Sequence, residues 1–134
     1  MKEEKYQELV DTFTAEKEYV AAVVEAAPVC KVRQELEDYA RSIYTEMDAV
    51  MRAFERYLRG EVPQEYGSWD SLDADGERAW DSLNEAIDIM ARSARLHNLF
   101  EESEALENMV DTIDYAVTDC LYNDPVLRGY YYHE

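Results

Sequence analysis

A chain of 134 residues, 47% of them hydrophobic, is long enough to bury one core and fold as a single domain without staples. Its 31 acidic residues against 13 basic ones give a formal charge of -18. A nucleic-acid backbone or an anionic membrane would repel such a chain, so direct binding to either is not expected.

The acid is unevenly spread. Residues 1–59 carry 13 acidic and 9 basic groups, residues 60–134 carry 18 and 4, and no Lys follows Lys31. Adaptation to high salt would distribute acid over every surface; here it collects in the second half. Cys30 and Cys120 are isolated on helical patterns and read as buried thiols of a reducing compartment, with no disulfide framework or zinc site. The charged stretch from Met1 to Glu8 does not resemble a signal peptide, and no apolar run approaches the ~20 residues of a membrane span. The expectation is a cytoplasmic protein.

In chain order, residues 3–27 predict a first helix with Tyr6, Leu9, Val10, Phe13, Val20, Val23, Val24 and Ala27 on one face and Lys17 as the polar intruder. Pro28 would kink a continuing helix at a cost of ~3 kcal/mol, so a tight turn belongs there; one kinked helix to residue 59 is the alternative. A second helix, 30–59, shows Leu36, Ile43, Val50 and Tyr57 seven apart, flanked by Val32, Tyr39, Met47 and Phe54. Its last turns hold Arg52, Arg56 and Arg59, which suit a helix C-terminus and could pair with acids of the last helix. Gly60 stops it, and residues 60–72, with Pro63, Tyr66, Gly67 and Trp69, form the long loop.

A third helix, 73–97, repeats Trp80, Ile87 and Ala94 by seven, and likewise Leu83, Met90 and His97. Asn98 with Glu101 fits a capping box opening a fourth helix, 99–122. The stripe Leu106, Met109, Val110, Ile113, Ala116, Val117, Cys120 and Leu121 gives that helix its buried face. Residues 123–134 form a tail whose Tyr130, Tyr131 and Tyr132 are expected to dock on the bundle. The fold class is therefore all-α: a mainly antiparallel bundle of four long helices with a short C-terminal tail.

Motifs that could carry chemistry are few. Arg92-Ser-Ala-Arg-Leu-His97 is an R-x4-H pattern on a helix, which resembles the catalytic motif of the HEPN ribonucleases, all-α domains of about this size. That resemblance implies that Arg92 and His97 would act together on RNA, usually in a dimer. Two positions depart from the pattern: the polar second residue, commonly Asn, is Ser93, and Arg95 stands where an apolar residue is common. The Leu83–Met90 seam instead predicts a buried, structural His97. Ser71-Leu-Asp73-Ala-Asp75-Gly76 resembles the front of an EF-hand loop but starts on Ser and has Ser82 where the closing Glu belongs. A di-iron bundle needs Glu-x-x-His, yet Ala94 precedes His97 by three. Glu85-x-x-Asp88 ahead of Glu101-x-x-Glu104 reverses the Mg²⁺ order of the all-α nucleotide pyrophosphatases. No cofactor is expected and the chain reads as non-enzymatic.

What remains is the acidic face. From Asn98 to Asp124 there are eight carboxylates and no Lys or Arg. Glu104, Glu107, Asp111 and Asp114 step by 3, 4 and 3, Glu101 extends the row, and Asp81, Glu85 and Asp88 of the third helix are expected to form a second one beside it. Fixed negative charges ~4.5–6 Å apart along an axis imitate a phosphate backbone. In composition and helix patterning the chain resembles the small acidic nucleic-acid-mimic inhibitors of phages and mobile elements, of the anti-CRISPR and anti-restriction kind. The resemblance implies a partner protein with a basic nucleic-acid-binding groove. The rival reading is an acidic helical interaction module, or a homodimer, without mimicry.

Overall fold

The computed structural model describes residues 4–58 and 74–123, and these form four helices: α1 (Glu4–Ala26), α2 (Lys31–Leu58), α3 (Ala74–Leu96) and α4 (Phe100–Asn123). Each boundary lies within one residue of the sequence expectation. The chain breaks at Ala27–Cys30, around Pro28, which rules out the single kinked helix. The loop residues 60–72, Arg59 and the tyrosine tail lie outside the described residues.

Neighbours run antiparallel. Tyr6 Oη donates to Glu55 Oε1 at 3.2 Å and Lys17 Nζ meets Asp48 Oδ1 at 2.7 Å, so α1 and α2 pass in opposite directions. Ser103 Oγ, fully buried, donates to the Ala91 carbonyl at 2.8 Å and ties α4 back onto α3. Helix α1 packs on α2 and α4, and α3 packs on α2 and α4, while α1/α3 and α2/α4 are diagonals. The two short turns, 27–30 and 97–99, therefore share one end of the bundle.

The core is the one the heptads imply. Leu36, Ile43, Met47, Val50 and Phe54 of α2, Leu83, Ile87 and Met90 of α3, and Leu106 and Ile113 of α4 are fully buried; from α1, Leu9, Phe13, Val20 and Val23 join them. Fully burying one such side chain is worth ~1.5–3 kcal/mol, so this row holds the bundle together. Among the described residues, no helix is long and apolar enough to cross a membrane.

Three local details differ from expectation. Asn98 is not an N-cap. Its φ of 64° places it in the left-handed region, one residue beyond the cap of α3. The Leu99 amide then donates to the Ala94 carbonyl at 2.9 Å and the Asn98 amide to that of Arg95 at 3.0 Å, the crossed bond pair of a Schellman ending. Leu99 holds the N-cap position of α4, its carbonyl accepting from Ser103. His97, one residue past the end of α3, is not in the core: its side chain is 36% exposed. Cys120 is buried as expected, but Cys30 is exposed in the turn before α2.

Candidate functional site

Helix α4 has a buried stripe, so its carboxylates must occupy the remaining surface. Glu101, Glu104, Glu107, Asp111 and Asp114 are all exposed. At 100° per residue the row spans about 140° around the axis and ~20 Å along it, so it slants across the helix. Glu101 and Glu104 border the groove against α1, where they adjoin Glu16 and Tyr19. Glu107 reaches the α3 side and meets Arg95 Nη2 at 2.9 Å. Among the described residues no ion pair engages Glu101, Glu104, Asp111 or Asp114.

The carboxylates of α3 have different surroundings. Asp81, Glu85 and Asp88 are exposed, and Glu85 borders the groove toward α2, beside Tyr39 and Glu46. Asp88 is held by Arg92 of the next turn at 3.0 Å, and Asp75 pairs with Arg78. Helix α3 thus presents a face of mixed sign. Arg52 and Arg56 were the expected neutralisers of α4, but α2 lies diagonally opposite it. Arg95 of α3 does reach α4, at Glu107.

Residues that the sequence did not single out sit on the other flank of α4. The groove against α1 is bordered by Glu8, Thr12, Glu16, Tyr19, Ala22 and Ala26 from α1. From α4 come Glu102, Ala105, Asn108, Tyr115 and Asp119 beside Glu101 and Glu104. None of these is Lys or Arg, because Lys17 turns the other way to Asp48 of α2. Burial without a compensating cation raises the Glu16 carboxyl above its ordinary value. The amphipathic period of α1 carried a signal for this groove: Glu8, Thr12, Glu16 and Tyr19 fall on one strip of that helix.

The R-x4-H residues are not brought together. Arg92 engages Asp88 on the outer face of α3. His97 Nε2 meets Glu35 Oε2 at 3.2 Å on the α2 side, and the Tyr39 hydroxyl donates to the other oxygen of that carboxylate, also at 3.2 Å. His97, and then Tyr39, hold the Glu35 carboxyl below its ordinary value. Asp75 of the EF-hand-like stretch lies in the first turn of α3, where an acid suits the helix dipole; Ser71 to Asp73 lie outside the described residues. Among the described residues, no three His, Cys, Asp or Glu side chains gather as a metal ion would require. No protein-family model, curated protein or solved structure matches the chain.

Proposed function

We propose that this protein is a cytoplasmic inhibitor that acts by occupancy, presenting α4 as a nucleic-acid mimic to a basic nucleic-acid-binding groove of another protein. The observation that carries this reading is the row Glu101, Glu104, Asp111 and Asp114, exposed on one helix and, among the described residues, without ion pairs, while Glu107 of the same row meets Arg95. An isolated solvated face would be indifferent to its charge pattern, whereas a cationic groove rewards fixed charges at phosphate-like spacing. Asp81, Glu85 and Asp88 of α3 contribute at the edge of that surface, tempered by Arg78, Arg92 and Arg95.

A second reading is favoured by one specific feature. Val29 is 84% exposed, Leu96 82% and Phe100 59%, all at the bundle end formed by the two short turns. An interaction module that recruits a protein by shape would use that end.

The two readings separate in one experiment. The immobilised protein should retain from source-cell extract a protein that duplex DNA displaces and that moderate salt releases. Reversing Glu104, Glu107, Asp111 and Asp114 to Lys leaves the apolar stripe untouched, so the helix should fold and capture should be lost. Removing Tyr130 to Glu134 should matter much less. A charge-reversed protein that folds and captures the same partner overturns mimicry; if Leu96→Ser with Phe100→Ser then abolishes capture, the turn end is the recognition surface.

A further inference from the structure

The groove between α1 and α4 is more than a gap between carboxylates. Its floor is small and apolar, with Ala22, Ala26 and Ala105 at one end and Met109 in the middle. Two large aromatic side chains stand in it unburied: Tyr19 is 50% exposed and Tyr115 73%. Tyr19 is ringed by Glu16, Glu101 and Glu104, and among the described residues no Lys or Arg lines this part of the groove. A tyrosine face flanked by carboxylates is the receptor that a guanidinium fits best, since the planar cation stacks on the ring while its N–H fork meets the acid. A lysine ammonium offers neither the flat face nor the fork. Small side chains along the floor let the backbone of an incoming element approach closely, and two helices lying side by side form a trough of the width of a third.

We infer that the α1/α4 groove is a docking site for an arginine-bearing amphipathic helix of the partner protein, with Tyr19 and Tyr115 as stacking platforms and Glu16, Glu101 and Glu104 around Tyr19 as guanidinium acceptors. The occupant follows from charge complementarity: a second copy of this chain, at -18, would be repelled. Glu16 supports the assignment, because a half-buried carboxylate lacking a cation regains in the complex what it gives up in the free protein. The inference rests on the proposal that α4 is a binding face, and narrows it to one flank of that helix.

The test uses the full chain, labelled with ¹⁵N, and two 18-residue helical peptides with the same leucine stripe, one flanked by arginines and one by lysines. The arginine peptide should shift the amide signals of Tyr19, Ala22, Ala105 and Tyr115 and leave those of α2 and α3 in place. It should bind severalfold more tightly than the lysine peptide. Tyr19→Ala should weaken it about fivefold, and filling the floor with Ala22→Leu and Ala105→Leu about tenfold, both with the circular dichroism spectrum unchanged. Shifts spread evenly over the acidic surface, equal affinity for the two peptides, or indifference to the filled floor would overturn the inference. Its failure is distinguishable from failure of mimicry: a partner displaced by DNA and lost on reversing α4, with no peptide in the groove, removes only the groove assignment. Unchanged capture by the reversed protein overturns both, because Glu104 beside Tyr19 is among the residues reversed.

Discussion

At the scale of single residues, two carboxylates respond to pH in opposite senses. A carboxylate can only accept, so in the contact with Glu35 it is His97 Nε2 that carries the proton. The folded-state pKa of Glu35 is depressed, so its contribution to stability is complete above the unfolded value and is lost as pH falls through the folded value. Replacing His97 with Ala should move the Glu35 carboxyl titration, followed by ¹³C NMR, to higher pH. The cost in stability should stay below about 1 kcal/mol, because both partners are largely solvated; an unmoved titration would mean that the contact does not form in solution. Glu16 has the reverse sign. Its folded pKa is raised, so its contribution is present below the unfolded value and lost as pH rises through the folded one. Glu16→Gln should therefore raise the melting temperature at pH 7 and leave it unchanged near pH 3. His97 also shows how far a heptad can be trusted. Leu83 and Met90 are fully buried, but α3 ends at Leu96, and one step further the same period points at a residue that has left the helix.

At the scale of elements, the caps are where the sequence was hardest to read. Asn is favoured both as an N-cap and in the left-handed position after a helix, for different reasons: an accepting side chain in one case, tolerance of positive φ in the other. Residue type alone does not choose between them at Asn98. Asn98→Gly should be neutral or slightly stabilising, whereas Asn98→Ala should cost about 1 kcal/mol, roughly 3–5 °C in melting temperature at this size. Equal melting of the two variants would contradict the left-handed ending. Helix α1 has no basic residue in its last turn, and Arg33 of α2 takes over the role. Its guanidinium donates to the Ala27 carbonyl at 2.7 and 3.1 Å and to the Glu25 carbonyl at 2.8 Å. Arg33→Met should cost about 1–2 kcal/mol in chemical denaturation, as charged donors to orphan carbonyls do. Nothing in the linear order announces that pairing, because it needs the Pro28 turn to fold Arg33 back. The helix interiors, by contrast, were legible: at Leu36, Ile43 and Val50 a strict period leaves one possible inner face, and all three are fully buried.

At the scale of the molecule, the question is how a chain with 31 acids and 13 bases stays compact. The helices divide the charge. Helix α3 carries its own arginines, at spacings visible in the sequence for Asp75 with Arg78 and Asp88 with Arg92. The pair between Arg95 and Glu107 needs the tight α3–α4 turn, and so was not legible. Helix α4 has seven carboxylates between Phe100 and Asn123 and no cation of its own. Salt acts on both kinds of contact, weakening the attractive pairs and the repulsion together. The pairs among the described residues are exposed, each worth ~0.2–1 kcal/mol, while the repulsion is summed over every neighbour along α4 and across the groove to Glu16. Repulsion should therefore dominate, and the melting temperature should rise as NaCl goes from about 0.05 to about 0.5 M, where the screening length drops from near 14 Å to near 4 Å. Neutralising Glu101, Glu104, Asp111 and Asp114 to Gln or Asn should raise the low-salt melting temperature and flatten that response. Arg95→Gln should steepen it by exposing Glu107 to its neighbours. A melting temperature indifferent to salt in the unmodified chain would mean that the row is already compensated, and the surface proposed to meet a basic partner would lack the charge to do so.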